Sequence, residues 1–177
     1  MPWPRIVLAR DVSEYRRVVP LLVSRRDRVL EIGCGAGGTT RVIAKYAGKV
    51  LAIDKSEKEL EKAKKLMEEF PNLRVELADA WDLRRVLELV ARYLGDKVDA
   101  VFIDIGGSER PHRVLDLARR YSSALRPPVM VIKNYKLVGF VESVVLATEL
   151  VAWRAGSLSL RGKGRALGTL AGTGYCP

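Results

Sequence analysis

Four carboxylates and one lysine stand at or near the ends of successive apolar runs: Glu31, Asp54, Asp79, Asp104 and Lys133. The first run, Val29, Leu30 and Ile32 with Glu31 inside it, breaks into Gly33, Gly35, Gly37 and Gly38. A helical pattern follows, and a second apolar run closes on Asp54. Strand, glycine turn, helix, strand and terminal acid is the layout of a nucleotide-type site at the carboxyl edge of a parallel sheet. Glycines let backbone approach a ligand where a Cβ would collide. Asp54 sits where a carboxylate could accept both hydroxyls of a ribose, so an adenosine-containing cofactor is expected.

Gly33-x-Gly35-x-x-Gly38 also satisfies the dinucleotide fingerprint. Three features argue against a dinucleotide. Glu31, two residues ahead of the first glycine, points towards the loop and could reach a ligand ammonium, whereas a pyrophosphate gains nothing from it. Asp79 closes its strand beside the same crevice, placed for an adenine amino group, with Ala80 and Trp81 as apolar neighbours. A chain of 177 residues leaves no room for a separate substrate domain.

The elements that must position these residues alternate. A basic helical lead-in covers residues 1–27, with a helix over 11–24 kinked or ended at Pro20. Strands are expected at 28–32, 49–53, 73–77, 98–104 and 129–133. Helices are expected at 38–47, from Ser56 to Phe70, from Trp81 to Leu94, at 109–124 and at 138–150. Ser56 with Glu59 reads as a capping box. Residues 152–176 alternate around Gly162-Lys163-Gly164 and read as a terminal β-hairpin. The expected fold is α/β: one doubly wound, mostly parallel sheet over residues 1–177, with the hairpin as an antiparallel edge.

The net charge of +10 is uneven. Residues 1–30 hold seven arginines against Asp11, Glu14 and Asp27, and residues 150–177 hold Arg154, Arg161, Lys163 and Arg165 with no acid. Excess charge at both ends is what a basic rim for a polyanion looks like. Cys34 and Cys176 suggest neither a disulfide framework nor a metal site. With no apolar span or signal peptide visible, a cytoplasmic location and no membrane contact are expected. The absence of Gln, with only Asn72 and Asn134 as amides, fits a thermophile.

VLEIGCGAG, the Asp54 strand end, LADAWD and the terminal hairpin together resemble the class I S-adenosylmethionine-dependent methyltransferases, over about residues 28–175. The resemblance implies a Rossmann-like, seven-stranded sheet ending in that hairpin. It implies a cofactor pocket lined by Glu31, Gly33, Cys34, Gly35, Gly37, Asp54, Lys55, Asp79, Ala80 and Asp104. The acceptor side reads Asp104-Ile105-Gly106-Gly107, without the Asn/Asp-Pro-Pro-aromatic or Pro-Cys signatures of base methylation. Lys133 ends an otherwise buried strand, where it could take or orient a hydroxyl proton, with Asp104 one strand away to position it.

An Asp after the fourth strand and a Lys ending the fifth resemble the RNA ribose 2′-O-methyltransferases of the fibrillarin-like and FtsJ-like groups. That resemblance implies Asp104 and Lys133 as catalytic residues and tRNA or rRNA as substrate. Where the FtsJ-like group has a further Lys in its leading helix, this chain offers only Arg16 and Arg17. Arg16, Arg17, Arg154, Arg161, Lys163 and Arg165 are candidate phosphate contacts, and Tyr135 is the best candidate to stack a base. A homodimer or a partner subunit is compatible with this reading. Ile105-Gly106-Gly107-Ser108 also resembles the small corrinoid-precursor methyltransferases, and a non-catalytic RNA-binding subunit is the remaining alternative.

Overall fold

In the computed structural model of the chain, residues 3–144 and residue 147 are described. Four strands bury nearly every residue: β2 (Arg28–Ile32), β3 (Lys49–Asp54), β5 (Ala100–Ile103) and β6 (Val129–Lys133). Continuous apolar runs of this kind are covered by helices on both faces and belong to a parallel sheet. With β1 (Arg5–Ala9) and β4 (Leu73–Leu77) they form a six-stranded sheet in the order β1-β6-β5-β2-β3-β4. Every pairing is parallel. This is the Rossmann-like α/β methyltransferase fold.

The switch in direction lies at β2, which pairs with β3 on one side and β5 on the other. Connections leave these neighbours towards opposite faces and open a crevice at their carboxyl ends. The intervening helices are α1 (Val12–Arg17), α2 (Val19–Leu22), α3 (Thr40–Tyr46), α4 (Glu57–Lys64), α5 (Leu66–Glu69), α6 (Leu83–Tyr93) and α7 (Pro111–Leu125), and α8 (Tyr135–Ser143) follows β6. Residues through Lys136 form one compact unit, and those from Leu137 form a second. In the first, Tyr15 meets Phe102 edge to face at 5.5 Å between ring centroids, anchoring α1 to β5.

Several expectations change. The lead-in is not helical throughout: Arg5–Ala9 is a strand, paired residue for residue with Val129–Lys133. That pairing joins segments far apart in the chain, which local periodicity cannot reveal. The helix expected over 11–24 breaks at Val18, with Pro20 in the first turn of α2, where its missing N–H costs nothing. The helix from Ser56 to Phe70 breaks at Lys65 into α4 and α5. The capping box does not form, because the Ser56 side chain makes no cap bond and its N–H donates to Asp54 Oδ1 at 2.9 Å. The expected hairpin at 152–176 and the far end of the 138–150 helix lie outside the described residues, and the parallel sheet accounts for six strands.

One side chain ties the second crossover together. Asn72 Nδ2 donates to the carbonyls of Ala44 at 3.0 Å and Ala47 at 2.9 Å, satisfying the C-terminal end of α3 from the turn that enters β4. Asn72→Ala is expected to cost about 1–3 kcal/mol by orphaning both acceptors. In urea titration the midpoint should fall with the slope unchanged; an unmoved midpoint would refute this role.

Candidate functional site

The carboxyl ends of β2, β3, β4 and β5 surround a cavity of about 390 Å³. Its wall includes Gly33, Gly35, Asp54, Lys55, Asp79, Ala80 and Asp104, so most of the expected cofactor set is brought together, while Glu31, Cys34 and Gly37 are not among the described residues that line it. Trp81, Gly106, Glu109 and Arg113 also line it and were not in that set. Arg113 lies over the Trp81 ring at 5.2 Å from its centroid and reaches back to Glu109 at 3.4 Å. The signal for the last two was weak, because they sit on the loop and helix after Asp104 with no motif to mark them.

Backbone geometry explains the glycines. Gly33 has φ +83, and a Cβ there would collide with the carbonyl oxygen of Asp104. The turn is fastened below by Gly33 N–H and Cys34 N–H, both donating to the Ile53 carbonyl, at 2.8 and 3.0 Å. Above, Gly35 N–H donates to Asp54 Oδ2 at 2.8 Å. Asp54 therefore holds the turn and still has acceptor capacity on both oxygens. Asp79 Oδ1 accepts from Trp81 N–H at 2.9 Å, and Tyr121 Oη donates to the Ala80 carbonyl at 2.8 Å, fixing that loop from α7.

Glu31 is no surface ion pair. It is 1% exposed, and Arg28, its nearest basic neighbour in sequence, pairs with Asp96 instead at 2.9 Å. Burial pushes the Glu31 carboxyl up from 4.5 to about 7, against the pull of the Thr40 hydroxyl and of Arg16, with like charge from Asp104 and Asp54 adding to the rise. Glu31 Oε2, Tyr15 Oη and Thr40 Oγ1 are buried without a hydrogen-bond partner among the described residues. A buried acid with one oxygen unpartnered, beside a glycine cradle, is complementary to a cationic ligand group. S-adenosylmethionine carries an ammonium and a sulfonium, and the carboxylates of Asp54, Asp79 and Asp104 on the wall suit this group.

Cys34 is buried, and burial pushes its thiol well above the usual range, which leaves it a space-filler. Gly37 packs against α4 and α5 rather than the cavity. Arg16, expected on the substrate side, instead lies over the glycine turn: its Nε donates to Thr39 Oγ1 at 3.2 Å, and its guanidinium occupies the space a Cβ on Gly38 would take. Arg17 is exposed on α1. Arg154, Arg161, Lys163 and Arg165 lie outside the described residues.

At the cavity's rim Lys133 Nζ lies 2.7 Å from Asp104 Oδ2, with both side chains largely buried. The loop between β5 and α7 is stitched to the end of β6 around this pair. Asn134 Nδ2 donates to the Glu109 carbonyl at 2.9 Å, Tyr135 N–H to that of Gly107 at 3.3 Å, and Lys136 Nζ to that of Ser108 at 2.7 Å. Tyr135 is half exposed beside it.

Comparison with known proteins agrees with this geometry. The ribosomal RNA small subunit methyltransferase H of Bartonella henselae is 30% identical over 114 residues, covering 59% of this chain and 31% of its own. The chain spans 23–31% of the length of the curated relatives it matches. An rRNA methylase from Streptococcus thermophilus superposes with a TM-score of 0.52 at 17% identity, covering 80% of this chain and 82% of that one. A precorrin 8w decarboxylase from Methanobacterium thermoautotrophicum superposes with a TM-score of 0.51 at 18% identity, covering 84% and 72%. At these identities both likenesses speak for the fold alone. The family model described as a methyltransferase domain matches residues 29–127, from β2 past the end of α7, and the chain belongs to that family, with S-adenosylmethionine as its cofactor.

Proposed function

We propose that this chain methylates RNA at a ribose 2′-hydroxyl, with Lys133 and Asp104 at the point of transfer. The observation that carries this reading is the ion pair of 2.7 Å at the rim of the cofactor cavity. When bound, S-adenosylmethionine supplies a methyl group on an electrophilic sulfonium. The chain's own task is to hold the parts in line and manage one proton. Asp54 would accept the ribose hydroxyls of the cofactor, Asp79 its adenine amino group, and Glu31 its ammonium. Lys133, held in place by Asp104, would orient the acceptor hydroxyl and stabilise its oxygen as the bond to the methyl group forms and the hydroxyl proton passes to solvent water. Tyr135 offers a half-exposed ring next to this point for the acceptor base.

RNA is favoured over a small acceptor by charge and by relatives. The chain carries a net +10, and its curated relatives are named as ribosomal RNA methyltransferases. Ribosomal RNA is therefore the first substrate to test. Labelled methyl from S-adenosylmethionine should appear in RNA, and nucleoside analysis should locate it on a ribose. Label on a base amine would overturn the 2′-hydroxyl assignment; label in a tetrapyrrole and none in RNA would overturn RNA.

Lys133→Ala is expected to lower kcat by about 10²–10⁴ with cofactor affinity retained. Retained turnover would remove Lys133 from the reaction.

Glu31 makes a second prediction, with a definite sign. The unfolded chain releases this proton near 4.5 and the folded chain near 7. Its contribution to the stability of the cofactor-free protein is therefore full below 4.5 and declines as pH rises through 7. Cofactor binding runs the other way, because an ammonium needs the ionised carboxylate. S-adenosylmethionine should bind about tenfold more weakly at pH 6 than at pH 8 in isothermal titration. Glu31→Gln should bind weakly at both; a flat profile in the native protein would refute the contact.

A further inference from the structure

A second cavity, of about 750 Å³, lies at the opposite end of the sheet, where β1 and β6 begin. Trp3, Arg5, Arg126 and the Pro127-Pro128 pair line it, with Ser122 and Ser123 from the last turn of α7. No carboxylate is among the described residues that line it. Arg119 also faces it, and this arginine pairs with Asp116 at 3.1 Å. Arg5 and Arg126 are exposed, and Trp3 is 53% exposed. The wall is stiff, since two prolines form one side and Arg5 N–H donates to the Pro128 carbonyl at 3.0 Å.

Arg126 is the telling residue. It is the single non-glycine residue with positive φ among the described residues, at φ 49 and ψ 47, where α7 ends. Glycine is the favoured residue at such a helix end. The proline that follows disfavours helical backbone at this position as well. An arginine held in strained backbone, with its side chain in a groove, marks a place where the guanidinium has a use beyond stability.

We infer that this groove binds a single-stranded segment of the RNA substrate, away from the methylated nucleotide. A base stacks on Trp3, phosphates meet Arg5 and Arg126, and the two serine hydroxyls are within the same wall for sugar or phosphate oxygens. The inference rests on the RNA reading given above. Aromatic and arginine side chains together suit a nucleic-acid strand better than a free anion, which has no use for the indole. The groove and the transfer point are joined by one strand: Arg5 pairs with Val129 and Ala9 with Lys133. The five residues of β1 cover about 15 Å, which a few nucleotides of extended RNA can cross.

The strain at Arg126 supplies a clean test. The full chain and its Arg126→Gly and Trp3→Ala variants are titrated with a fluorescein-labelled single-stranded oligoribonucleotide, alongside S-adenosylmethionine binding and thermal unfolding. Arg126→Gly should raise Tm by about 2–4 °C while weakening RNA binding about tenfold and making its salt dependence shallower by about one ion. Trp3→Ala should weaken RNA binding about tenfold or more. Both should bind S-adenosylmethionine as the native chain does. Native RNA affinity in both variants would overturn the groove while leaving RNA methylation standing. Unchanged RNA affinity with altered self-association would assign the groove to a protein contact and overturn it too. A native chain that neither binds the oligoribonucleotide nor methylates RNA would instead refute the RNA reading itself.

Discussion

The contact on which this site depends is the close approach of Gly33 to the Asp104 carbonyl. Strands β2 and β5 run side by side in register, Ile32 opposite Ile103, and Asp104 N–H donates to the Ile32 carbonyl at 2.9 Å. Both chains must therefore leave the sheet at one level and in one place. The Asp104 carbonyl fills the volume that a side chain on residue 33 would need, so that residue is glycine and turns with φ +83. The turn brings Gly35 to Asp54, and the same strand end carries the Asp104 carboxylate to the rim. The glycine cradle and the placement of the rim carboxylate are thus two consequences of one steric constraint.

Charge at this site is arranged in two different ways. Asp104 and Lys133 compensate each other, and such a half-buried pair adds little net stability, because desolvation offsets the attraction. Its value is in direction: the pair fixes where a lysine nitrogen stands against the cavity. Glu31 has no ion-pair partner among the described residues, and burial holds its carboxyl near 7 despite the Thr40 hydroxyl and Arg16. A protein stable enough to carry that cost gains a site whose charge is completed by a cationic ligand. Stability is set aside where the ligand will restore it.

Much of this was legible in the sequence because it depends on short-range pattern. The apolar runs ending in Asp54, in Ala78-Asp79 and in Lys133 are strands, and an acid or base that follows a buried run falls at the sheet's edge. The pairing of Asp104 with Lys133 was legible for the same reason, as consecutive parallel strands are usually neighbours. What was not legible depends on contacts distant in sequence. Arg5–Ala9 becomes a strand because β6 offers it a free edge. Arg16 looked like a phosphate contact by charge alone, yet Tyr15 packing on Phe102 carries α1, and Arg16 with it, over the glycine turn. The Ser56 N–H, which a capping box would give to Glu59, goes to a different acceptor, Asp54.

The strand that sequence pattern missed also changes the meaning of the basic N-terminal segment. Read as a helical lead-in, its arginines form a diffuse positive arm. With β1 paired to β6, two of them acquire addresses: Arg5 at the start of the sheet and Arg10 just past Ala9, which pairs with Lys133. A polyanion attracted to such a surface meets one charge where β1 begins and another just past its end. Electrostatic attraction alone is blind to register, while a rigid strand that connects the proposed stacking groove to the proposed transfer point is not. In the proposed reaction, β1 is what turns net charge into alignment.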